Sequence, residues 1–366
     1  MEWQFSWQIG IFLLANVALL TAYIVYYLPP LSSSKPIQNL EAKVSVIICA
    51  KNEAYNMEKN IPHWCSQKNI SFEVIVVNDH STDHSANVLQ KFAHEFDHLK
   101  WIDSDSPLSS RLGKKHALSQ AIRAASGNVL LLTDADCQPS SSFWVARMAE
   151  KFQDPEVGVV AGYAPVESVY PGLLARLQYL DSVITAIQYL SAIRRKDPYM
   201  VVGRNVAYRR EAYPDKELLK QMKYPSGDDD LVFQSVDPKW KIKTQVHPEA
   251  LVLARGVKSW NRWFRQKRRH FNVAPVYSLR KSSVPVLFRM MQLLWIVGLI
   301  LFLTHAVNAY ILVSLLPLIG LGYVLYRWRS VLQLERGFLF VFLEPLRYLV
   351  VVSVTLSLMI KRPTKW

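Results

Sequence analysis

VSVIICA (Val44 to Ala50) is an unbroken apolar run of strand length, FEVIVVND (Phe72 to Asp79) is a second, and NVLLLTDAD (Asn128 to Asp136) holds a third. A strand covered on both faces has no wet side to show, so such runs mark the buried strands of a parallel sheet. Segments of helical character lie between them. One follows Asn52, and STDHSANVLQKFAHEF opens with cap-forming residues just after Asp79. KKHALSQAIRAAS (Lys114 to Ser126) runs to Gly127, where a left-handed cap is expected. Repeated β-α-β units imply an α/β fold with a mostly parallel sheet, whose ligands collect at the carboxyl ends of the strands. Asn52, Asp79 and Asp134 all fall at such ends.

Outward from this region the composition changes. The chain has 366 residues, 51% of them hydrophobic, and the apolar ones concentrate at its two ends. Residues 9–28 carry no charge; at about 1.5 Å per residue a helix there crosses a bilayer core of ~30 Å. Glu2 before this run and Leu28-Pro29-Pro30 after it do not match a cleaved signal peptide. Residues 1–40 therefore read as a transmembrane anchor with its linker, and 41–255 as one domain of ordinary size. A basic, aromatic segment follows at 256–282, then a membrane region at 283–366 with apolar pieces at 284–304, 306–326 and 337–360. Arg289 lies near the start of the first piece, where its long side chain can snorkel to the interface. Glu344, Pro345 and Arg347 interrupt the third.

The formal charge is +14, which points to an acidic partner. Apolar spans favour anionic lipid over nucleic acid. Seven Lys or Arg and no acid lie between Arg255 and His270, interleaved with Trp260, Trp263 and Phe264. That pattern suits a helix in the headgroup layer, with a solvated basic face as the alternative. The positive-inside rule puts the segment between Lys35 and Lys281 in the cytoplasm. Three further full crossings would leave the tail KRPTKW outside, against the same rule, so either the third piece is re-entrant or the tail is an exception. Cys49, Cys65 and Cys137 form no CxxC pair and no disulfide framework, which fits a reducing compartment and offers no zinc-type ligand set.

Asp134-Ala135-Asp136 is the sharpest local signal for chemistry. Two carboxylates one residue apart can turn toward one hard divalent cation, which in turn can bind diphosphate oxygens. Alone, so short a motif reads more readily as a solvated turn than as a metal site. In chain order, however, VSVIICAKNE (44–53), VIVVNDHSTD (74–83), GKKHALSQAI (113–122), DAD, GRNVAYRRE (203–211), SGDDDLVFQ (226–234) and QKRRH (266–270) together resemble family 2 glycosyltransferases.

This resemblance implies a GT-A fold: a Rossmann-like, mostly parallel cytoplasmic domain between N-terminal and C-terminal transmembrane helices. It places Cys49, Asn52 and Glu53 at the nucleotide-contacting turn, Asp79 on the base and Lys114 near the diphosphate. Asp134 and Asp136 would hold a divalent metal, Mg or Mn, with Asp134 also on the nucleotide sugar. Gln266, Arg268 and Arg269 would complete the donor site, and Gly203, Arg204, Asn205 and His270 the acceptor side. Asp228 matches the catalytic base, with Asp229 the runner-up and Gly227 standing where an acid usually precedes the base.

The reaction so implied is an inverting transfer from a nucleotide-diphosphate sugar, a UDP-sugar in the first instance, to a lipid or lipid-linked glycan. It implies an integral protein of a bacterial inner membrane, serving the cell envelope. The sequence departs from processive polysaccharide synthases at His270, where they carry Trp, and so looks closer to single-sugar lipid transferases of the ceramide glucosyltransferase type. A processive synthase is one alternative, a catalytically silent nucleotide-sugar-binding membrane protein another, and a nucleic-acid binder the third. Cys137 reads as packing, and Lys51 with Glu53 as an exposed pair. The helix expected over 173–193 belongs either to the core or to the border of the acceptor opening.

Overall fold

A computed structural model describes residues 2–27, 29, 41–105, 113–167, 171–215, 229–272, 279–304, 315–334 and 338–360. A long apolar helix, α1 (Glu2–Tyr26), precedes β1 (Lys43–Ala50), α2 (Ala54–Cys65), β2 (Ser71–Asn78), α3 (Ser85–Ala93), β3 (Leu99–Asp103), α4 (Gly113–Ala124) and β4 (Val129–Asp134). Next come β5 (Cys137–Pro139), α5 (Trp144–Ala149), β6 (Val157–Gly162), β7 (Val166–Glu167), α6 (Leu173–Arg194) and β8 (Val206–Arg209). The domain closes with α7 (Asp230–Gln234), β9 (Lys241–Gln245), β10 (Val252–Arg255) and α8 (Trp260–Phe271). Among the described residues three apolar helices follow: α9 (Leu279–Thr304), α10 (Leu316–Trp328) and α11 (Glu344–Ile360). The expected piece 306–326 falls partly outside the described residues, its helix beginning at Leu316.

The main sheet runs β3-β2-β1-β4-β8-β6-β9, and a smaller one runs β5-β10-β7. Strands β3, β2, β1 and β4 are parallel, as their apolar runs require, whereas β8 is antiparallel to both of its neighbours. The sheet is mostly parallel, as expected, and turns antiparallel only around β8, since β6 and β9 pair parallel again. Val44, Val46 and Ile48 point to a core shared with Met57, Trp64, Leu89 and Trp144. Ile47, Ile75, Leu130 and Leu132 face the other way, toward α4 and α6. That second core continues without a break into Tyr23, Phe288, Trp295 and Trp328 of the apolar helices.

Gly127 does not adopt the expected left-handed cap; among the described glycines only Gly113 and Gly172 have positive φ. Its reason is space, since a Cβ there would lie 2.6 Å from the Ser45 amide nitrogen. Small residues likewise let the apolar helices close up: a Cβ on Gly298 would meet the Phe12 ring at 2.0 Å, and one on Gly320 would meet Leu20 at 2.8 Å. Tyr23 packs edge-on to Phe288 at 5.1 Å, and the Trp328 indole donates to the Tyr27 carbonyl at 2.9 Å. Helices α9 and α10 therefore flank α1, antiparallel and parallel to it respectively. Among the described residues one segment, Phe340–Leu358, is long and apolar enough to cross a membrane; Gly10–Tyr26 and Val286–Gly298 are shorter apolar helices.

Glu344 and Pro345, which looked like an interruption of the third apolar piece, are instead the first turn of α11. Proline is tolerated where no intrahelical N–H bond exists, and an acid there faces the positive end of the helix dipole. The preceding residues, Phe338–Leu343, form a separate 3-10 turn.

One buried carboxylate ties the sheet's amino edge together. Glu73 accepts from the Ser45 hydroxyl (2.7 Å), the Ser126 amide (2.7 Å) and Lys100 (2.8 Å). Burial alone would raise its pKa, but these donors hold it down, from 4.5 to about 2. A depressed carboxylate stabilises the fold above its unfolded pKa and loses that contribution as pH falls toward the folded one. Glu73→Gln is therefore expected to cost about 2 kcal/mol near pH 7. The gap from wild type should close as pH drops from 4.5 toward about 2, read as thermal midpoints by intrinsic fluorescence. A pH-independent gap would contradict this account.

Candidate active site

The loops leaving β1 and β2 at their carboxyl ends are fastened to each other. Asn52 takes a left-handed conformation (φ 57), which asparagine tolerates better than most residues. Its side-chain oxygen accepts from the Thr82 amide (2.7 Å) and hydroxyl (3.2 Å), and its own amide donates to Ser81 Oγ (2.9 Å). Asp83 accepts from the Ala54 amide (3.1 Å) and the Ser85 amide (3.0 Å), fixing the starts of α2 and α3 together. Sequence reasoning placed Asn52 here but gave Asp83 no role; its signal is the acid standing just before a helix.

Asp79 sits beneath these loops, 5% exposed, with Lys51 3.7 Å from its carboxylate. Lys51 pairs with Asp79 and not with Glu53, as the sequence had suggested; Glu53 instead accepts from the Asn56 amide group. Gly113 (φ +36) begins α4 so close to Asp79 that a Cβ would stand 3.8 Å from its Oδ2. The next residue, Lys114, reaches Asp134 Oδ1 at 2.7 Å, and the Cys49 thiol contacts the Lys114 carbonyl at 3.9 Å. Cys49 pairs with both Val77 and Asp134 across the sheet. With strands ~4.8 Å apart, the ends of β2 and β4 lie roughly 10 Å from each other, spanned by β1.

The Asp134-Ala135-Asp136 turn is held through its backbone. Asn60 donates to the Ala135 carbonyl (3.0 Å), the Trp64 indole to the Cys137 carbonyl (3.0 Å), and the Arg255 amide to the Asp136 carbonyl (3.2 Å). None of these three was legible as a site residue, because each acts from inside a helix or strand. The carboxylates of Asp134 and Asp136 and the Cys137 thiol have ligand atoms within 4.8 Å of one another. Desolvation and then the charge of Asp134 push Asp136 up, against the pull of Arg204, the Cys137 thiol and Lys114. Burial pushes Glu53 up to about 7; the Asn56 hydrogen bond offsets part of this, and Asp136, Asp134 and Asp83 add repulsion. Carboxylates crowded in this way are what a hard divalent cation relieves, so the residues present fit one. Cys137 is fully buried and its thiol is also pushed up by burial; it donates to Asp136 Oδ1 at 3.4 Å, as packing and not as a soft ligand.

Facing this edge is the 203–205 segment. The Thr133 hydroxyl donates to the Arg204 carbonyl (2.9 Å), fixing the segment against the end of β4. A Cβ on Gly203 would fall 1.8 Å from Asp229 Oδ1, so only glycine lets that carboxylate lie there. Asp229 stands at the start of α7, while Asp228 lies outside the described residues. Asn205 is a correction to the expected acceptor set. It is 0% exposed; its amide donates to the carbonyls of Tyr163 and Ala250 (2.9 Å each) and accepts from the Trp144 indole (3.0 Å). That leaves it no surface for a ligand.

Helix α8 brings the last motif. Ser259 caps it by accepting from the Arg262 amide, and Gln178 of α6 clamps the chain two residues before the cap, exchanging two hydrogen bonds with Val257 (3.0 and 2.8 Å). Gln266, Arg268 and Arg269 are half-buried, whereas His270 keeps an open surface. Protein atoms nonetheless crowd its ring, and desolvation, followed by the charges of Lys267, Arg269 and Arg204, lowers its pKa to about 3. The charge of Arg204 acts on both Asp136 and His270, so it lies within electrostatic reach of both.

Exchanging Asp134 or Asp136 for Asn is expected to weaken Mn2+ binding at least about tenfold, read by electron paramagnetic resonance of the free ion in the absence of any substrate. Wild-type affinity in both variants would remove the pair as a metal site.

The model of the glycosyl transferase family 2 matches residues 45–215, a stretch containing β1, β2, α4, the carboxylate turn and the 203–205 segment. A probable glycosyltransferase of Bacillus subtilis is 24% identical over 238 residues, covering 62% of this chain and 54% of that protein. A beta-monoglucosyldiacylglycerol synthase of Nostoc sp. is 31% identical over 158 residues, covering 42% and 33%. A poly-beta-1,6-N-acetyl-D-glucosamine synthase of Staphylococcus epidermidis is 24% identical over 204 residues, covering 54% and 45%. The chain thus spans about half or less of the length of these curated relatives. Among solved structures, a mannosyltransferase from Pyrobaculum calidifontis in complex with GDP-Man and Mn2+ has the same fold, with a TM-score of 0.56, 15% identity, and coverage of 96% of this chain and 100% of that one. The parallel strands, the carboxylate turn at their edge and the match over 45–215 lead to one conclusion: this chain carries a glycosyl transferase family 2 domain, built on the GT-A fold.

Proposed function

We propose that this protein is an inverting glycosyltransferase that moves a sugar from a nucleotide-diphosphate donor, a UDP-sugar in the first instance, to a hydroxyl of a membrane-bound lipid acceptor. The observation that carries the reading is the convergence of Asp79, Lys114, Asp134 and Asp136 on one sheet edge, opposite Gly203, Arg204 and Asp229. Asp79, buried at the far end, suits the base of the nucleotide, with Cys49, Asn52 and Glu53 around its ribose. Lys114 suits the diphosphate, and Gln266, Arg268 and Arg269 add to the donor site from α8. A divalent cation, Mg or Mn, bound at Asp134 and Asp136 supplies charge neutralisation for the departing diphosphate.

Asp228 takes the proton of the acceptor hydroxyl as that oxygen attacks the anomeric carbon; the C–O bond to the diphosphate breaks, and the configuration inverts. Asp229 lies against Gly203, next in sequence to the base. Arg204 sits where negative charge develops and adds fixed positive charge. His270 hydrogen-bonds the acceptor.

The membrane assignment draws support from the apolar helices. Leu14 (71% exposed), Leu287 (61%), Ile319 (56%) and Leu356 (55%) present large apolar faces on all four of α1, α9, α10 and α11, more than a water-soluble surface carries. Arg194, Arg195 and Lys196 crowd where α6 meets the end of α1, and Arg195 stacks on Tyr26 at 3.5 Å. This basic, aromatic collar supports a cytoplasmic interface of a bacterial inner membrane, with the catalytic domain on that side. Trp260, half exposed, and the exposed Arg262 and Arg265 lay α8 in the same headgroup layer.

A processive synthase is the second reading, favoured by the likeness to a poly-N-acetylglucosamine synthase; His270 in the place of an aromatic platform weighs against it. The deciding experiment screens donors by nucleotide release from purified protein, followed by mass spectrometry of lipid extracts. Wild type should release nucleotide and yield one glycosylated lipid, and Asp228→Asn should lower kcat by about 10^3-fold with nucleotide binding unchanged. No turnover with any donor would favour a silent nucleotide-sugar-binding protein, and a water-soluble polymer a synthase.

A further inference from the structure

A chain of charges runs through the contact between the catalytic domain and the apolar helices, and nothing in the transfer chemistry above uses it. Glu344, 1% exposed, receives both arms of the Arg347 guanidinium, Nε at 2.6 Å and Nη2 at 2.7 Å. The remaining Arg347 nitrogen, Nη1, reaches Asp181 Oδ1 at 3.1 Å. The other oxygen of Asp181 takes the ammonium of Lys267. Gln292 closes the far end, donating to Glu344 (3.1 Å) and Tyr23 (3.2 Å). Two carboxylates and two cations make the cluster neutral, and it links α1, α9, α11, α6 and α8 in turn.

Stability alone does not explain such a cluster, because buried ion pairs commonly do no better than well-packed apolar residues of the same volume. What it does provide is direction, since a forked guanidinium and a shared carboxylate accept few geometries. Its last member, Lys267, lies inside QKRRH, two and three residues before Arg269 and His270. One turn earlier on α6, Gln178 holds Val257 just before α8. Helix α6 thus grips α8 at both its start and its middle, and Asp181 is the only charged residue of 177–193.

We propose that Asp181 is a positioning residue: through Lys267 it sets where Arg269 and His270 stand at the site, and through Arg347 it makes that setting depend on how α11 is seated. The inference rests on the transferase reading above. It assigns α11 a part in turnover, since a shift of α11 would move Arg347, release Asp181 and loosen α8.

The test is a net-neutral double variant, Glu344→Gln with Arg347→Met, which leaves the Asp181–Lys267 pair intact. Thermal midpoint, UDP affinity and kcat for transfer are measured in nanodiscs. UDP affinity is expected within about twofold of wild type and kcat about tenfold to a hundredfold lower, because misplacing reacting groups by ~1 Å has effects of that order. A folded double variant with wild-type kcat, or one that loses UDP affinity and kcat in parallel with its thermal midpoint, overturns the proposal. Should that variant fail to fold, Asp181→Glu decides, since it keeps both charges paired and lengthens the reach by one methylene: a kcat at least about threefold lower at unchanged UDP affinity upholds the role, and an unchanged kcat removes it. Wild type that binds UDP yet transfers no sugar sinks the transferase reading itself, which separates the two failures.

Discussion

Everything at the candidate site depends on the parallel pairing of β2, β1 and β4. Residues far apart in sequence, Asp79 and Asp134, come to one edge because Cys49 is in register with both Val77 and Asp134. A slip of one residue would turn every side chain of a strand to the opposite face. Register is guarded by burial on both sides of the sheet: Val46 and Ile48 are locked into one core, Ile47 into the other. At the opposite edge, Glu73 and Ser45 bond across β1 and β2 and hold Ser126 before β4. The carboxyl edge can then afford crowded acids, because the strands below them cannot move apart.

The parallel strands were readable because they are buried on both faces and so lack polar residues. Strands such as β7, β8 and β10, of four residues or fewer, carry too little pattern to be seen, and with them the antiparallel turn of the sheet at β8 was missed. The carboxylate turn was readable from its residue types alone. What fixes it was not, since Asn60, Trp64 and Thr133 look like ordinary helix and strand residues until the chain is folded. Asn205 shows the converse: a polar residue in a glycine-containing loop resembled a ligand contact, and the fold encloses it completely. Gly203 beside it is required for a steric reason that no spacing reveals, the approach of the Asp229 carboxylate.

The apolar ends were visible as composition, and their meaning changed on folding. They do not hang from the catalytic domain as a tether. The core on the α4 and α6 side of the sheet continues directly into Tyr23, Phe288 and Trp328, so the domain and the apolar helices share one packed interior. Charges that looked like flaws in the third apolar piece turn out to be its attachment, reaching Asp181 in the middle of α6. Helix α6 thus joins the apolar helices on one side and α8, with its QKRRH motif, on the other.

The proposed transfer to a membrane-bound lipid is tested most directly by following the sugar itself. Purified protein in nanodiscs of native lipid, given Mn2+ and a nucleotide sugar labelled at the anomeric carbon, should deliver label to the organic-solvent phase. The product should be a lipid bearing one sugar, with its anomeric configuration inverted by nuclear magnetic resonance. Label recovered only as free sugar or water-soluble polymer, or a lipid product of retained configuration, would contradict the account.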